Sequence, residues 1–282
     1  RSHGANVIER LLTMRAASVR ENSRLRNLLR EIGEIFAGIF HVYRAWWVDI
    51  LVLSFCIFVP IGLLDAADNQ ALESIGPGHD LTATALGIAA LVITATALLG
   101  EVFLAGAVGL SLIHAEDGRP PSLRFIARHL SYGRLIAVDI LFVLAVALGL
   151  VFLVVPGMAA FAYLALAGPV VEIEDRGIAS SFRRSFQLVR GRFWLVFLIL
   201  FPIEAVGGAV GQGSAAICET LFGHTFFADG IAEALADIAI SPLFAIASVL
   251  LARKLIMARD GIELPGPGLR DLQPAPSGKP PA

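Results

Sequence analysis

The chain has 282 residues, of which 56% are hydrophobic and only 16% are charged, and its mean hydropathy is +0.75. Charged residues make up about a quarter of an ordinary soluble domain, so this composition excludes that class and predicts a chain that is solvated by lipid. The formal net charge of −2 hides a strong asymmetry, because every Lys and Arg falls in one of four segments. These basic segments are Arg1–Arg44, Arg119–Arg134, Arg176–Arg192 and Arg253–Lys279.

Six apolar stretches alternate with the basic segments and are the candidates for transmembrane helices, which need about 20 mostly apolar residues each. A tight turn at Pro156-Gly157 would join the third and the shorter fourth stretch, with a re-entrant loop as the alternative for the fourth, and Ser241-Pro242 would kink the sixth. Because basic segments stay in the cytoplasm, the pattern predicts a multi-pass membrane protein with six spans and both termini in the cytoplasm. The stretches are Trp46–Leu64, Thr82–Ile113, Leu135–Val155, Met158–Val171, Phe193–Val210 and Ile231–Ile256.

The sequence divides into an N-terminal cytoplasmic segment, 1–44, a transmembrane domain, 45–258, and a Pro/Gly-rich cytoplasmic tail, 259–282, that is predicted to be disordered. Three cytoplasmic stretches place apolar residues at helical spacing opposite charged ones, which predicts amphipathic helices at the membrane interface. The alternative is that these helices are elbows that pack on the bundle. Their apolar faces run from Leu25 to Ile39, from Leu123 through Ile126 to Leu130, and along Phe182, Phe186 and Val189.

A possible internal repeat relates the basic segments. An offset of 58 places Gly133-Arg134 on Gly191-Arg192, and an offset of 90 places Arg44 on Arg134. The unit would be an interfacial helix, an Arg at the membrane edge and a two-helix hairpin, repeated three times in parallel orientation. Chance similarity among Arg-flanked apolar segments is the alternative.

A family resemblance lies between residues 156 and 194. It is carried by Pro156, Gly157, Met158, Tyr163, Pro169, Glu174, Gly177, Ser185, Phe186, Gln187, Leu188, Gly191, Phe193 and Trp194. With these residues the chain resembles the membrane domain of bacterial glycerophosphoryl diester phosphodiesterases. The resemblance implies an all-α, polytopic bundle in the bacterial cytoplasmic (inner) membrane. It does not imply catalysis, because the sequence contains neither a segment of the size of the hydrolase domain nor its His-Arg-Gly and Glu-Asn-Thr signatures.

Three acidic residues, Glu101, Glu204 and Asp237, lie inside predicted spans, where a charge costs at least about 2.5–3.5 kcal/mol at the bilayer centre. They are expected to be protonated, hydrogen-bonded across helices or exposed to a polar cavity. One interpretation is a proton- or cation-linked pathway, and the other is a hydrogen bond that fixes the register of the bundle. The scattered His and Cys residues show no metal-ligand spacing and no nucleophilic arrangement, so no metal, cofactor or catalytic residue is predicted.

Arginines of the basic segments are the candidates for binding phosphate, because a guanidinium forms bidentate contacts with it. The expected function is a non-catalytic scaffold or lipid-interacting module whose Arg-rich belt binds anionic phospholipid headgroups, with nucleic acid excluded as a partner. The alternatives are a transporter, or a subunit of one, that uses the three acids, and a membrane-embedded lipid-modifying enzyme. The candidate arginines are Arg124, Arg128, Arg134, Arg183, Arg184, Arg190 and Arg192.

Overall fold

The computed structural model of the chain describes residues 2–74, 98, 100–116, 119–222 and 226–265. Every regular element within these ranges is an α-helix, which confirms the predicted all-α class for this part of the chain. Part of the second predicted span and most of the predicted disordered tail, residues 82–97 and 266–282, lie outside the described residues. The helices are α1 (Ser2–Ser74), α2 (Glu101–Ile113), α3 (Leu123–His129), α4 (Tyr132–Phe152), α5 (Val154–Leu164), α6 (Ala167–Ile173), α7 (Ile178–Val189), α8 (Phe193–Phe222) and α9 (Phe226–Asp260).

Five helical stretches in the described residues are long and apolar enough to cross a membrane, and the shorter apolar helix α2 accompanies them. The chain therefore has the helices of a membrane protein. Each stretch coincides with or contains most of a predicted span, because a run of about 20 residues with few charges is the strongest signal that a sequence carries. The five stretches are Leu25–Ile61, Tyr132–Phe152, Val154–Ile173, Phe193–Cys218 and Ala234–Asp260.

Helices α4 and α5 form a tight hairpin, but its turn is not where the sequence predicts it. The single residue between them, Leu153, is extended, with φ −171° and ψ 149°. Pro156 lies in the first turn of α5, where a missing N–H removes no helical hydrogen bond, so the prediction of a turn at Pro156-Gly157 is wrong. A Cβ on Gly149 would lie only 2.7 Å from the Cα of Gly157, so the two glycines permit the close approach of the two helices.

Helix α1 is interrupted at Trp46, whose φ of −120° and ψ of 20° are not helical. The interruption lies where the sequence predicts the start of the first span. Before it, Ile35, Ile39 and Val42 are buried against the bundle, whereas Leu29 is 66% exposed. The N-terminal part of α1 therefore packs with one side and leaves apolar side chains on the other.

The centre of the bundle is the second half of α9, which packs against α1, α8 and α2. Phe244 of α9 is fully buried and lies 5.9 Å from the ring centroid of Phe161, which in turn lies 6.1 Å from that of Phe142. This row of rings joins α9 to the α4–α5 hairpin. Tilted aromatic pairs at such distances stabilise the packing by about 0.5–1.5 kcal/mol each beyond the area that they bury.

Helix α7 divides its predicted apolar face between the bundle and the surface. The residues of α7 that face the bundle are Ser181, Arg184, Ser185, Leu188 and Val189. Of the predicted apolar face, Phe186 is 45% exposed, as an interfacial helix requires, whereas Val189 is fully buried. The face that carries Ser181 and Ser185 comes closest to the bundle because small side chains let helices approach, and Ser185 donates its hydroxyl hydrogen bond to the carbonyl of Tyr163 at 2.7 Å.

Candidate functional site

The first candidate site lies at the N-terminus of α2. Gly100 precedes the helix with a φ of +93°, a left-handed conformation that suits glycine. The carboxylate of Asp139 on α4 accepts hydrogen bonds from the backbone N–H groups of Gly100 at 2.6 Å and Val102 at 3.2 Å. Asp139 is only 4% exposed, so it caps α2 from a neighbouring helix in an apolar environment. Its role is structural, because the first N–H groups of a helix have no partner within the helix.

Replacing Asp139 tests this cap. We expect Asp139→Ala to lower the free energy of unfolding by about 1–3 kcal/mol, because the amides of Gly100 and Val102 then stay buried without acceptors. Asp139→Asn keeps one acceptor oxygen and should cost less than Asp139→Ala. Thermal unfolding of the detergent-solubilised protein measures both. Equal stability of the alanine variant and the wild type would contradict a capping role.

Glu101, the first residue of α2, is also only 4% exposed. Its side chain is hydrogen-bonded to that of Ser241 on α9. Farther along the same pair of helices, a Cβ on Gly109 would lie 3.7 Å from Val249, so α2 and α9 run side by side in parallel register. The other carboxylate oxygen of Glu101, Oε2, is buried and has no hydrogen-bond partner among the described residues.

The other two intramembrane acids lie around Glu101. Both Glu204 of α8 and Asp237 of α9 interact with it electrostatically, and they also interact with each other. The packing of α8 on α9 accounts for this proximity, since a Cβ on Gly207 would lie 3.0 Å from Ile240. The sequence predicts each acid separately, and the structure brings all three together near the start of α2.

The second candidate site is the end of the bundle where the basic segments converge. Arg184 is the most buried of the candidate arginines there, with 9% of its side chain exposed. It donates hydrogen bonds to both Glu174 oxygens at 2.8–3.1 Å and also pairs with Asp260 at the end of α9. Burial by itself lowers the pKa of the Arg184 guanidinium, but the bonds to the two carboxylates outweigh burial and raise that pKa. Arg184 thus binds protein carboxylates, and its guanidinium is not presented to a headgroup.

Two further candidate arginines also bond within the protein. Arg134 donates to Asp175 at 2.8 Å, to the Ser131 hydroxyl at 2.7 Å and to the carbonyl of Arg176 at 3.2 Å. Arg192 pairs with Glu31 of α1 at 3.1 Å. These contacts join α4, α6, α8 and α1 at a single end of the bundle. The two ion pairs join residues far apart along the chain, so the spacing of residues along one helix does not predict them.

The remaining four candidates, Arg124, Arg128, Arg183 and Arg190, are exposed. They form no ion pair with any residue that the structure describes, and so their guanidinium groups remain available at the surface. Sequence reasoning did not single out Arg119, which lies near them. Arg119 lines an open cleft of about 690 Å³ together with His114, Glu116, Pro120, Pro121, Ser122 and Phe125.

Comparisons with profiles of known protein families, with curated proteins and with solved structures give no match. Within the described ranges, no three His, Cys, Asp or Glu side chains are placed to hold a metal ion. The two sites, the acids around Glu101 and the arginines at the polar end, therefore carry the chemistry from which a function can be inferred.

Proposed function

We propose that this chain is a non-catalytic protein of the bacterial cytoplasmic membrane, a scaffold or lipid-interacting module that binds anionic phospholipid headgroups through exposed arginines. The observation that carries the proposal is the exposure of Arg124, Arg128, Arg183 and Arg190. We call these four residues the arginine belt. A guanidinium that has no protein carboxylate within reach is suited to bidentate contact with a phosphate oxygen pair.

The position of the arginine belt supports a headgroup partner. Ion pairs between Arg134 and Asp175, and between Arg192 and Glu31, mark the end of the bundle at which the basic segments meet. The belt lies on α3, on α7 and in the turn after α7, next to these pairs. In the proposed orientation this end faces the cytoplasm, where anionic lipids attract basic groups with about 1 kcal/mol per residue.

Exposed aromatic residues adjoin the same end. Trp47 is 54% exposed, Tyr132 is 44% exposed and Trp194 is 63% exposed. Each lies within three residues of Arg44, Arg134 or Arg192, respectively. Tyr and Trp are enriched where hydrocarbon meets water, so these side chains support a membrane interface at this level.

Six spans with both termini in the cytoplasm remain our proposal for the topology. Five stretches of sufficient length and the shorter α2, which would end the second span, support that number. Amphipathic helices at the interface are part of the same proposal, and the exposed Phe186 on α7 gives one of them an apolar side chain for the lipid. The resemblance of residues 156–194 to the phosphodiesterase membrane domain fits this location.

Neutralising the arginine belt tests the proposed function. We expect replacement of all four residues by Gln to reduce the phosphatidylglycerol and cardiolipin that co-purify with the protein, while zwitterionic lipid is unchanged. The four charges together contribute up to about 4 kcal/mol to the free energy of binding anionic lipid, and screening by salt reduces this contribution. Mass spectrometry of the lipids extracted from the purified protein measures both fractions.

The control for this experiment is the variant in which the same four residues become Lys, which keeps the charge and should retain most of the anionic lipid. Cysteines at the exposed positions Ser122 and Ser180 must stay inaccessible to an impermeant thiol reagent in sealed cells, because the arginines also help to orient the chain. If orientation is preserved and the anionic fraction does not fall, the arginine belt does not bind lipid headgroups.

Transport is the second candidate function. The observation that favours it is the convergence of Glu101, Glu204 and Asp237 from three different helices. Carboxylates in the interior of a bundle are uncommon, and they mark ion or proton pathways more often than acids elsewhere do. The fluorescence change of a pH-sensitive dye in a suspension of proteoliposomes that contain the protein tests for a proton flux.

A further inference from the structure

We infer that Glu101, Glu204 and Asp237 form a proton-binding site in the interior of the bundle, in which Glu101 shares a proton with a neighbouring carboxylate. The site uses no residue of the arginine belt, so it stands independently of lipid binding. It deepens the second candidate function by naming the ion that the acids would hold, and it can exist without net transport.

The buried oxygen of Glu101 is the first argument. An ionised carboxylate is an acceptor at both of its oxygens, and Ser241 satisfies only one of them. Oε2 lies in the interior without a donor among the described residues. A buried negative charge without hydrogen bonds is unfavourable, whereas a proton on this carboxyl group removes the charge and supplies a donor. Glu204 and Asp237, which interact electrostatically with Glu101, are the carboxylates with which the proton would be shared.

The charged groups around Glu101 are the second argument. Those that act on it are all acidic: Glu204 from α8, Asp237 from α9 and Asp139 from α4. Asp139 is already occupied by the backbone N–H groups at the start of α2. Like charges that share an apolar site cannot all be ionised, so at least one proton is held among them.

Among the described residues, α1 and α6 place apolar side chains and backbone next to the start of α2. From α1, the side chains of Ile57, Phe58 and Ile61 surround Gly100, next to Glu101. From α6, Gly168 packs against the backbone of Val102. Neither helix places a Lys, Arg or His beside Glu101 in the described residues, so no protein cation replaces the proton.

A metal ion fits this geometry less well than a proton. Among the described residues, no group of three acids converges closely enough to coordinate a cation. Ca²⁺ and Mg²⁺ require about six oxygen ligands at about 2.0–2.6 Å, whereas a proton needs only a donor oxygen and one acceptor. The other alternative is a purely structural role, in which the hydrogen bond between Glu101 and Ser241 fixes the register of α2 and α9. In that role Glu101 exchanges no proton.

The experiment is carbodiimide labelling of the full chain in lipid nanodiscs. Dicyclohexylcarbodiimide is apolar and reacts with protonated carboxyl groups, and mass spectrometry of peptides locates the adduct. We expect wild-type protein at neutral pH to be labelled at Glu101, with labelling that decreases as the pH rises. Infrared spectra of the same sample should show the carbonyl stretch of a protonated carboxylic acid, shifted in D₂O and lost in Glu101→Gln.

Variants at the neighbouring acids distinguish proton sharing from a register-fixing hydrogen bond. Glu204→Gln and Asp237→Asn each remove a negative charge near Glu101 and should slow its labelling severalfold at neutral pH, because the proton is then held less tightly. Ser241→Ala removes the register bond and should leave Glu101 labelled. Because the wild-type measurement comes first, the inference stays testable even if a variant fails to fold.

Three results would overturn the inference. One is wild-type protein in which none of the three acids is labelled and no protonated carboxyl band is seen. Another is labelling of Glu101 that does not respond to Glu204→Gln or Asp237→Asn. The third is protection of Glu101 by Na⁺ at constant pH, which would assign a metal cation to the site. A proteoliposome without proton flux would contradict transport and leave the proton site standing.

Discussion

Arg184→Gln is expected to destabilise the folded protein by about 3 kcal/mol or more, because it removes the shared partner of Glu174 and Asp260. Breaking a buried ion pair on one side costs about 3–5 kcal/mol, mainly because the remaining charge stays buried without a partner. The side chains of Arg184 and Glu174 are 9% and 13% exposed, but that of Asp260 is 28% exposed and Glu174 keeps an ion pair with Arg176, so the lower end of this range applies.

The adjacent residue supplies the matched control. Arg183 has the same side chain on the same helix, but it is exposed and forms no ion pair with a described residue. We expect Arg183→Gln to change stability by no more than about 0.5 kcal/mol, as surface substitutions usually do. Thermal unfolding of both variants in one detergent gives the comparison. Similar melting temperatures for the two variants would show that the Arg184 ion pairs do not stabilise the bundle.

Gly168→Ala is expected to destabilise the protein by about 1–3 kcal/mol or more, because it forces α6 away from α2. A Cβ at this position would overlap the carbonyl oxygen of Val102 and lie 3.0 Å from its carbonyl carbon. The obstacle is backbone, so no side-chain rotation can relieve the overlap, and overpacking of this kind costs about that amount. Small residues at such contacts are what allow membrane helices to pack closely.

A glycine in open space is the control for Gly168. A Cβ on Gly208 of α8 would meet nothing within 4 Å. Gly208→Ala should therefore stabilise the protein slightly, by about 0.5–1 kcal/mol, because alanine is the better helix former. Opposite signs for the two substitutions, measured as shifts in melting temperature, are the expected outcome. A neutral Gly168→Ala would mean that α2 and α6 are not in contact as described.

The helices and their approximate limits were predictable because lipid-solvated helices need long runs without charge. α4 is an example, predicted over Leu135–Val155 and found over Tyr132–Phe152. The position of the α4–α5 turn was not predictable, since a proline is as compatible with the first turn of a helix as with a loop. Only the extended conformation of Leu153 decides between these two arrangements.

The apolar stripe of α7 was predictable, but the contribution of small and charged residues to its packed face was not part of the prediction. The apolar stripe contains Phe186, and the stripe that packs contains Ser181 and Ser185. A signal was present, since two small residues four positions apart are typical of a close helix contact in membranes. The partners of Arg184 could not be predicted, because Asp260 lies 76 residues away along the chain.

The presence of each acid within a span was predictable from the sequence, but their proximity to one another was not. Each stands alone in an apolar run, which makes Glu101, Glu204 and Asp237 conspicuous in the sequence. Their proximity depends on which faces of α2, α8 and α9 meet, and one sequence does not contain that information. The same is true of the arginines, since ion pairs formed in the fold separate Arg134, Arg184 and Arg192 from the arginine belt.

The ion pairs at the polar end have a consequence for the order of biosynthesis. Asp260 pairs with Arg184, and Lys254 lies 3.6 Å from Glu31 and 3.5 Å from Glu34. Since Lys254 and Asp260 both belong to α9, the last described helix to leave the ribosome supplies partners for residues translated long before. Until α9 is inserted, the earlier helices lack both these partners and the buried centre of the bundle. Completion of the folded state therefore waits until α9 has been translated.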